Sequence, residues 1–199
     1  LEVIEKAADA ISDAIAQGVP GIIGVHFEGP HLSVPKRGVH STEYIRPLSD
    51  AEMQVYARND LGVKVVTVAP ENVSPDTIRQ LVDVNVKVCL GHSNADYQTT
   101  MAAIQAGATG FTHLYNAMSP MQSREPGMTG AALQHPEPWC GIIIDGHHVH
   151  PGAAKLAMQT KPEKMMLVTD AMSPVGTSDT SFPFFEGTVV RDGSKLTNP

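Results

Sequence analysis

The chain has 199 residues, 42% of them hydrophobic and 18% charged, with a formal net charge of -7. That length holds one sizeable core, the apolar share excludes disorder, and the negative balance excludes the basic stripe of a nucleic-acid binder. No apolar stretch approaches the ~18 residues of a membrane span and no secretory signal opens the sequence, so a cytoplasmic protein is expected.

The sequence opens inside an amphipathic helical pattern (Leu1, Ile4, Ala7, Ile11, Ile15), and it reads as the central part of a longer protein. An apolar run of strand length follows at 21–28. Ser49 then caps a helix expected over 49–60 and closed by Gly62. A strand over 63–69 leads to Ser74 and Pro75, the cap and first position of a helix over 75–84. Next come a strand at 86–92, a helix over 94–106 stopped by Gly107, and strands at 110–114 and 141–145. A helix at 151–160 and a strand at 165–170 complete the series. Near 181–195, runs at 182–185 and 188–191 around Glu186-Gly187, with Asp192-Gly193 behind them, read as a hairpin excursion from the loop after the last strand. Cys89 and Cys140 lie within apolar runs and read as buried free thiols rather than a disulfide or metal pair.

Continuous apolar strands separated by helices imply a parallel sheet covered on both faces. Glu28, His92, His113, Asp145 and Asp170 each end such a run or lie just beyond it. That is the end where a barrel builds its active site; a doubly wound sheet would more often show a Gly-rich phosphate loop, which is missing here. The expected fold is therefore α/β, a TIM-like (β/α)8 barrel present as an incomplete barrel lacking its first and last strands. Residues 1–199 all belong to it, with the hairpin as an excursion.

A single strand-end histidine is more often a hydrogen-bonded core or loop residue than a ligand. Convergence changes that for Glu28, His92 and His113, whose strand ends point into one barrel mouth. Two imidazoles and a carboxylate suit Zn2+ and leave a position open for water. Asp170 reads blandly as a cap or loop carboxylate, and chemically as the group that takes a proton from that water and delivers it to a leaving amine. His26-Phe27-Glu28 also matches the H-x-E of zinc nucleobase deaminases, but the required P-C-x-x-C is missing; His26 reads as a satisfied core histidine. His31, His135, His147 and His150 read as loop or surface residues, and Met101, Met158, Met165 and Met166 as core fillers. Asp145 is either a supporting carboxylate or a plain loop residue.

Six segments taken in order, Gly24-Val-His-Phe-Glu-Gly-Pro30, Gly91-His-Ser-Asn-Ala95, Thr112-His-Leu-Tyr-Asn-Ala-Met118, Arg124-Glu-Pro-Gly127, Asp145-Gly-His-His-Val149 and Val168-Thr-Asp-Ala171, resemble the motifs of the N-acetylglucosamine-6-phosphate deacetylases of the amidohydrolase superfamily. Position by position, the resemblance implies that Glu28, His92 and His113 bind a divalent metal, Zn2+ by preference, and that Asp170 is the general base and then acid. It implies that Val39 and His40 line the sugar, that Asn116 and Ala117 meet the phosphate, and that His148 contacts substrate. Arg124 would grip the phosphate in the site of the neighbouring subunit of a homodimer. The implied reaction is hydrolysis of the N-acetyl group by a metal-activated water, giving glucosamine 6-phosphate and acetate. The family's small β-sandwich, an upstream His-x-His strand and the last barrel strand are expected outside this sequence, so one metal or two stays open. The rivals are another amidohydrolase (dihydroorotase-like or aminoacylase-like) and a catalytically silent sugar-phosphate-binding barrel.

Overall fold

The computed structural model describes residues 1–172, 174–184 and 187–197. Helix α1 (Glu2–Ala16) precedes strand β1 (Gly24–Glu28), after which a long connection containing one 3-10 turn (Val34–Lys36) leads to α2 (Asp50–Tyr56). Then β2 (Val63–Val68), α3 (Pro75–Asp83), β3 (Val86–Leu90), α4 (Tyr97–Gln105) and β4 (Gly110–Phe111) alternate. They are followed by α5 (Gly127–Gln134), β5 (Trp139–Ile142), α6 (Pro151–Thr160) and β6 (Met165–Leu167). The last three strands, β7 (Ser181–Phe184), β8 (Gly187–Asp192) and β9 (Lys195–Thr197), form a separate antiparallel sheet.

Strands β1 to β6 pair in sequence order and all in parallel. Order in space that equals order in sequence is the wall of a barrel; a doubly wound sheet would reverse direction at a switch point. The register sets Glu28 beside Thr67, Thr67 beside Cys89, Cys89 beside Gly110 and Gly110 beside Trp139. These residues share the concave face. A Cβ added to Gly110 would lie 2.6 Å from the Cys89 sulfur, which explains a glycine at the start of this short strand. The alternate residues, among them Phe27, Val66, Val68, Val88, Leu90, Phe111 and Ile142, are buried under the helices. Against them α3 sets Ile78 and Leu81, three positions apart and fully buried. Each such burial is worth about 1.5–3 kcal/mol.

The caps follow the local chemistry. Ser49 and Glu52 form a reciprocal capping box at α2, Ser74 accepts from Thr77 N at α3 with Pro75 behind it, and Asp96 rather than residue 94 starts α4. Helix α2 stops at Tyr56, short of the expected residue 60, because the following residues fasten α1 instead. The Arg58 guanidinium reaches Asp9 at 2.6 Å and Asp60 at 2.7 Å, and Ser12 donates to Asp60 at 2.7 Å. Helix α5 was not expected; its sequence, GMTGAALQ, is small and apolar on every side, and it is buried almost throughout.

Other expectations need correcting. Strand β1 starts at Gly24 rather than 21 and ends at Glu28 as expected, whereas β2 to β6 end earlier than the apolar runs, because the chain bends at their carboxyl ends. The hairpin near 181–195 is a three-stranded sheet extending to Thr197; Glu186 of its expected Glu186-Gly187 turn lies outside the described residues. His31 is fully buried, not a loop surface residue, because Arg46 and Tyr56 satisfy both its ring nitrogens. Met118 and Met128 fill the core, whereas Met158 and Met166 are 37% and 43% exposed on α6 and on the concave face. Both cysteines are free, Cys140 fully buried and Cys89 partly.

Candidate metal centre

Glu28 closes β1, and His92 and His113 stand just past the ends of β3 and β4. Glu28 Oε1 lies 2.9 Å from His92 Nε2 and 3.0 Å from His113 Nε2, and the two Nε2 atoms are 2.9 Å apart. The far side of each ring decides what this triangle is. His92 Nδ1 donates to the Lys36 carbonyl at 2.9 Å, and His113 Nδ1 donates to the Asn116 carbonyl at 3.1 Å. A carbonyl only accepts, so in each neutral ring the proton sits on Nδ1 and Nε2 offers a lone pair. Three lone-pair atoms thus face one another, and only a cation or a borrowed proton relieves their repulsion. Ligands about 2.0–2.1 Å from one small ion stand a little over 3 Å apart, so the triangle fits a dication after slight relaxation.

Burial lowers the His113 pKa, but the Glu28 carboxylate outweighs it and leaves the ring raised above its usual value. Burial pushes Glu28 up, and its contacts with His113 and His92 overrule that and hold it well below the carboxylate range. A nitrogen of His40 comes within 4.8 Å of the donor atoms of Glu28 and His92. Its ring meets His92 edge-on, centroids 4.8 Å apart, and burial first, then His92, lowers its pKa.

Backbone strain accompanies these positions. His92, His113 and Asp170 have φ of 47°, 38° and 50°, and Ala117 has 49°. Left-handed backbone is uncommon outside glycine and costs of order 1–3 kcal/mol per residue, so the surroundings must impose it. Glu71 accepts from Ser93 Oγ at 2.6 Å and Asn94 N at 2.7 Å, clamping the turn after β3. That turn is laced to the one after β4, through Ser93 N to the Ala117 carbonyl and Ser119 N to the Ser93 carbonyl, both 3.0 Å. Ser119 Oγ in turn donates to the Ala95 carbonyl and accepts from Met128 N at the start of α5.

A cavity of about 740 Å³ on the concave face is lined by Glu28, His113 and Asp170, with His26, Cys89, Thr112 and Val168. Asp170 is exposed to it, and its charge acts on His26, His40 and His113. His26 is hydrogen-bonded as expected, its Nε2 2.7 Å from Thr67 Oγ1, which lies 2.7 Å from Thr112 Oγ1. It lines the open cavity, however, and is not enclosed in a core.

The remaining expected residues make no hydrogen bond to this centre among the described residues. His148 Nδ1 lies 2.7 Å from Asp145 Oδ2, while Asp145 Oδ1 accepts the backbone N–H groups of His147 and His148. Asp145 is thus the residue that orients His148, and these bonds hold its carboxyl well below the usual range. His147 reaches Ser194 of the three-stranded sheet at 2.9 Å. Val39 is half exposed. Arg124 is exposed in the loop before α5, and among the described residues no hydrogen bond or ion pair holds it. Its neighbour Glu125 is occupied by the backbone N–H groups of Tyr97 and Gly127. Sequence reasoning missed Glu71, although a carboxylate just past β2 carries the same signal as Glu28. It also missed Thr67, Thr112 and the Lys36 carbonyl.

A parallel barrel wall with two imidazoles and a carboxylate converging at its strand ends is a TIM-like half-barrel carrying a candidate metal centre. The chain belongs to the amidohydrolase family, whose model matches residues 2–180. It is 55% identical over 197 residues to an N-acetylgalactosamine-6-phosphate deacetylase of Shewanella sp. (strain ANA-3), covering 98% of this chain and 50% of that protein. It is 42% identical over 167 residues to an N-acetylglucosamine-6-phosphate deacetylase of Bacillus subtilis (strain 168), covering 82% and 42%. Among solved structures, N-acetylglucosamine-6-phosphate deacetylase from Pasteurella multocida superimposes with a TM-score of 0.94 at 38% identity, covering 99% of this chain and 52% of that one. The chain spans about half the length of the curated relatives it matches. No helix among the described residues is long and apolar enough to cross a membrane.

Proposed function

We propose that this chain forms the metal-binding and proton-transfer part of a deacetylase acting on N-acetylhexosamine 6-phosphates, releasing acetate and the free amino sugar phosphate. The observation that carries the reading is the triangle of Glu28, His92 and His113, three lone pairs with no proton of their own between them, opening onto the same cavity as Asp170. These three residues would hold a divalent cation, Zn2+ being the best match to two imidazoles and one carboxylate. When bound, that ion supplies Lewis-acid activation of water and of the acetyl carbonyl.

The chain's own residues do the rest. Lys36 and Asn116 keep both imidazoles facing inward through their carbonyls. Asp170, on its strained strand end, takes the proton of the attacking water and returns it to the departing amine. Val39 and His40 line the sugar, and His148, steadied by Asp145, closes the mouth. Asn116 and the Ala117 backbone meet the phosphate. An unpaired Arg124 fork suits the same phosphate across the interface of a homodimer. A cytoplasmic location follows from the charge of such a substrate.

Acetate release measured on the full-length protein tests this. Activity should vanish with a chelator and return with Zn2+; a protein that binds metal but releases no acetate from either hexosamine epimer would overturn the proposal. A second reading concerns the C4 configuration. The relative at 55% identity is named for the galactosamine epimer, against 42% for the glucosamine-named one. That difference favours N-acetylgalactosamine 6-phosphate over N-acetylglucosamine 6-phosphate, and comparison of kcat/KM for the two epimers decides it.

A further inference from the structure

The connection between β1 and α2, residues 29–49, is long for a compact domain and has only one 3-10 turn of its own. Structureless connections beyond about 12–15 residues are uncommon and usually functional. What fixes this one is remote from the cavity. Glu52, on α2, is 1% exposed. It accepts from Ser49 N at 3.0 Å and Ser49 Oγ at 2.7 Å, and it pairs with the Arg46 guanidinium. Burial pushes its carboxyl up, but the Ser49 bonds, then His31 and Arg46, outweigh that and keep it ionised.

An ion pair with a buried carboxylate and a guanidinium side chain still 36% exposed is an inefficient way to stabilise a fold. What this one joins is more telling. Arg46 stands near the end of the connection and His31 near its start. His31 Nδ1 donates to the Arg46 carbonyl at 3.1 Å, and its Nε2 lies 3.1 Å from the Tyr56 hydroxyl. The two ends of the connection are therefore stapled together beside Glu52. The stretch between them wraps His92. Ser33 N donates to the His92 carbonyl at 2.8 Å, and the Lys36 carbonyl takes the proton of His92 Nδ1. A Cβ added to Gly38 would lie 3.2 Å from the His92 ring.

We propose that Glu52 is a positioning residue of the metal centre, closing the 29–49 connection so that the Lys36 carbonyl fixes the orientation and tautomer of His92. This rests on the reading of Glu28, His92 and His113 as metal ligands. Releasing the staple lets the 33–40 segment move away from His92, whose Nδ1–H then loses its acceptor. Loss of such an outer partner typically costs about 10–100-fold in metal affinity.

The test compares full-length wild type with Glu52→Gln and with the double variant Arg46→Met, Glu52→Gln. The double variant removes both charges and so keeps the fold if the single variant leaves Arg46 unpaired and misfolds. Zn2+ affinity is measured by chelator competition well below the melting temperature, with amide hydrogen exchange followed across 33–40. The expected result is about 10-fold weaker Zn2+ binding and faster exchange at 33–40, with α3 and α4 unchanged. A merely structural role would lower the melting temperature yet leave the Zn2+ affinity of the folded protein untouched. That outcome overturns the inference alone. A wild type that binds no Zn2+ overturns the metal reading, and the inference falls with it.

Discussion

Replacing Glu28 by Gln keeps the shape of the centre and removes its one negative charge. Its Oε1 stands 2.9 and 3.0 Å from the two Nε2 atoms, so the carboxylate shares whatever ion or proton they hold. A unit charge pair about 4 Å apart at an effective dielectric near 20 is worth about 4 kcal/mol. A coordinating carboxylate lies nearer than that to a doubly charged ion. At about 1.4 kcal/mol per decade, the loss is on the order of 10³-fold in Zn2+ affinity or more. Competition against a chromophoric chelator at fixed pH, on the full-length protein, measures it. A second readout needs no metal. Burial lowers the His113 pKa and the Glu28 contact outweighs it; in Glu28→Gln that contact is lost, with the Asp170 charge left to oppose burial, and the His113 titration followed by NMR should fall. A variant that keeps Zn2+ affinity within tenfold of wild type, with His113 titrating unchanged, would refute the centre as built.

Asp170→Asn should lower turnover by about 10²–10⁴-fold while leaving metal and substrate binding in place; near-native turnover would assign the proton transfers elsewhere. Arg124→Ala should raise KM for the 6-phosphate and hardly change the slow turnover of the unphosphorylated sugar. Equal loss on both would make Arg124 a loop residue, and recovery of activity on mixing it with Asp170→Asn would place it across a subunit interface. Metal-free wild type should lose its stability advantage over Glu28→Gln as pH rises. His113 has a raised folded pKa, so its contribution is fully present below about 6.5 and lost as pH climbs through the folded value. Melting temperatures of the two chelated proteins between about pH 6 and pH 8 check this, the opposing contributions of His26, His31 and His40 being common to both.

Much of the centre was legible because side-chain identity carries the signal. Strand-end Glu, His and Asp stand out against apolar runs, and the helix caps Ser49 and Ser74 have their own local chemistry. What stayed hidden lacks such a signal. The acceptors that orient His92 and His113 are backbone carbonyls of Lys36 and Asn116, and any residue supplies a carbonyl. Helix α5 has no polar face to give it a period, since both its sides are covered. His31 looks like a loop residue until Tyr56 and Arg46, remote in sequence, arrive to bury it. Lys64 and Lys161 are buried for the same reason, each ammonium satisfied by two carbonyls from distant segments. Local pattern finds the donors of a site; the acceptors and the staples come from tertiary contact.

The strictly sequential order of β1 to β6 has a consequence for synthesis. Each strand pairs with the one made just before it, so a chain leaving the ribosome adds its units one at a time onto a finished edge, and no strand must wait for a distant partner. The three donors become complete when His113 emerges, whereas Asp170 follows more than fifty residues later. If Glu28, His92 and His113 hold a metal as proposed, a nascent chain captures it before it carries Asp170. In the cell, metal supply would act on folding while catalysis is still out of reach.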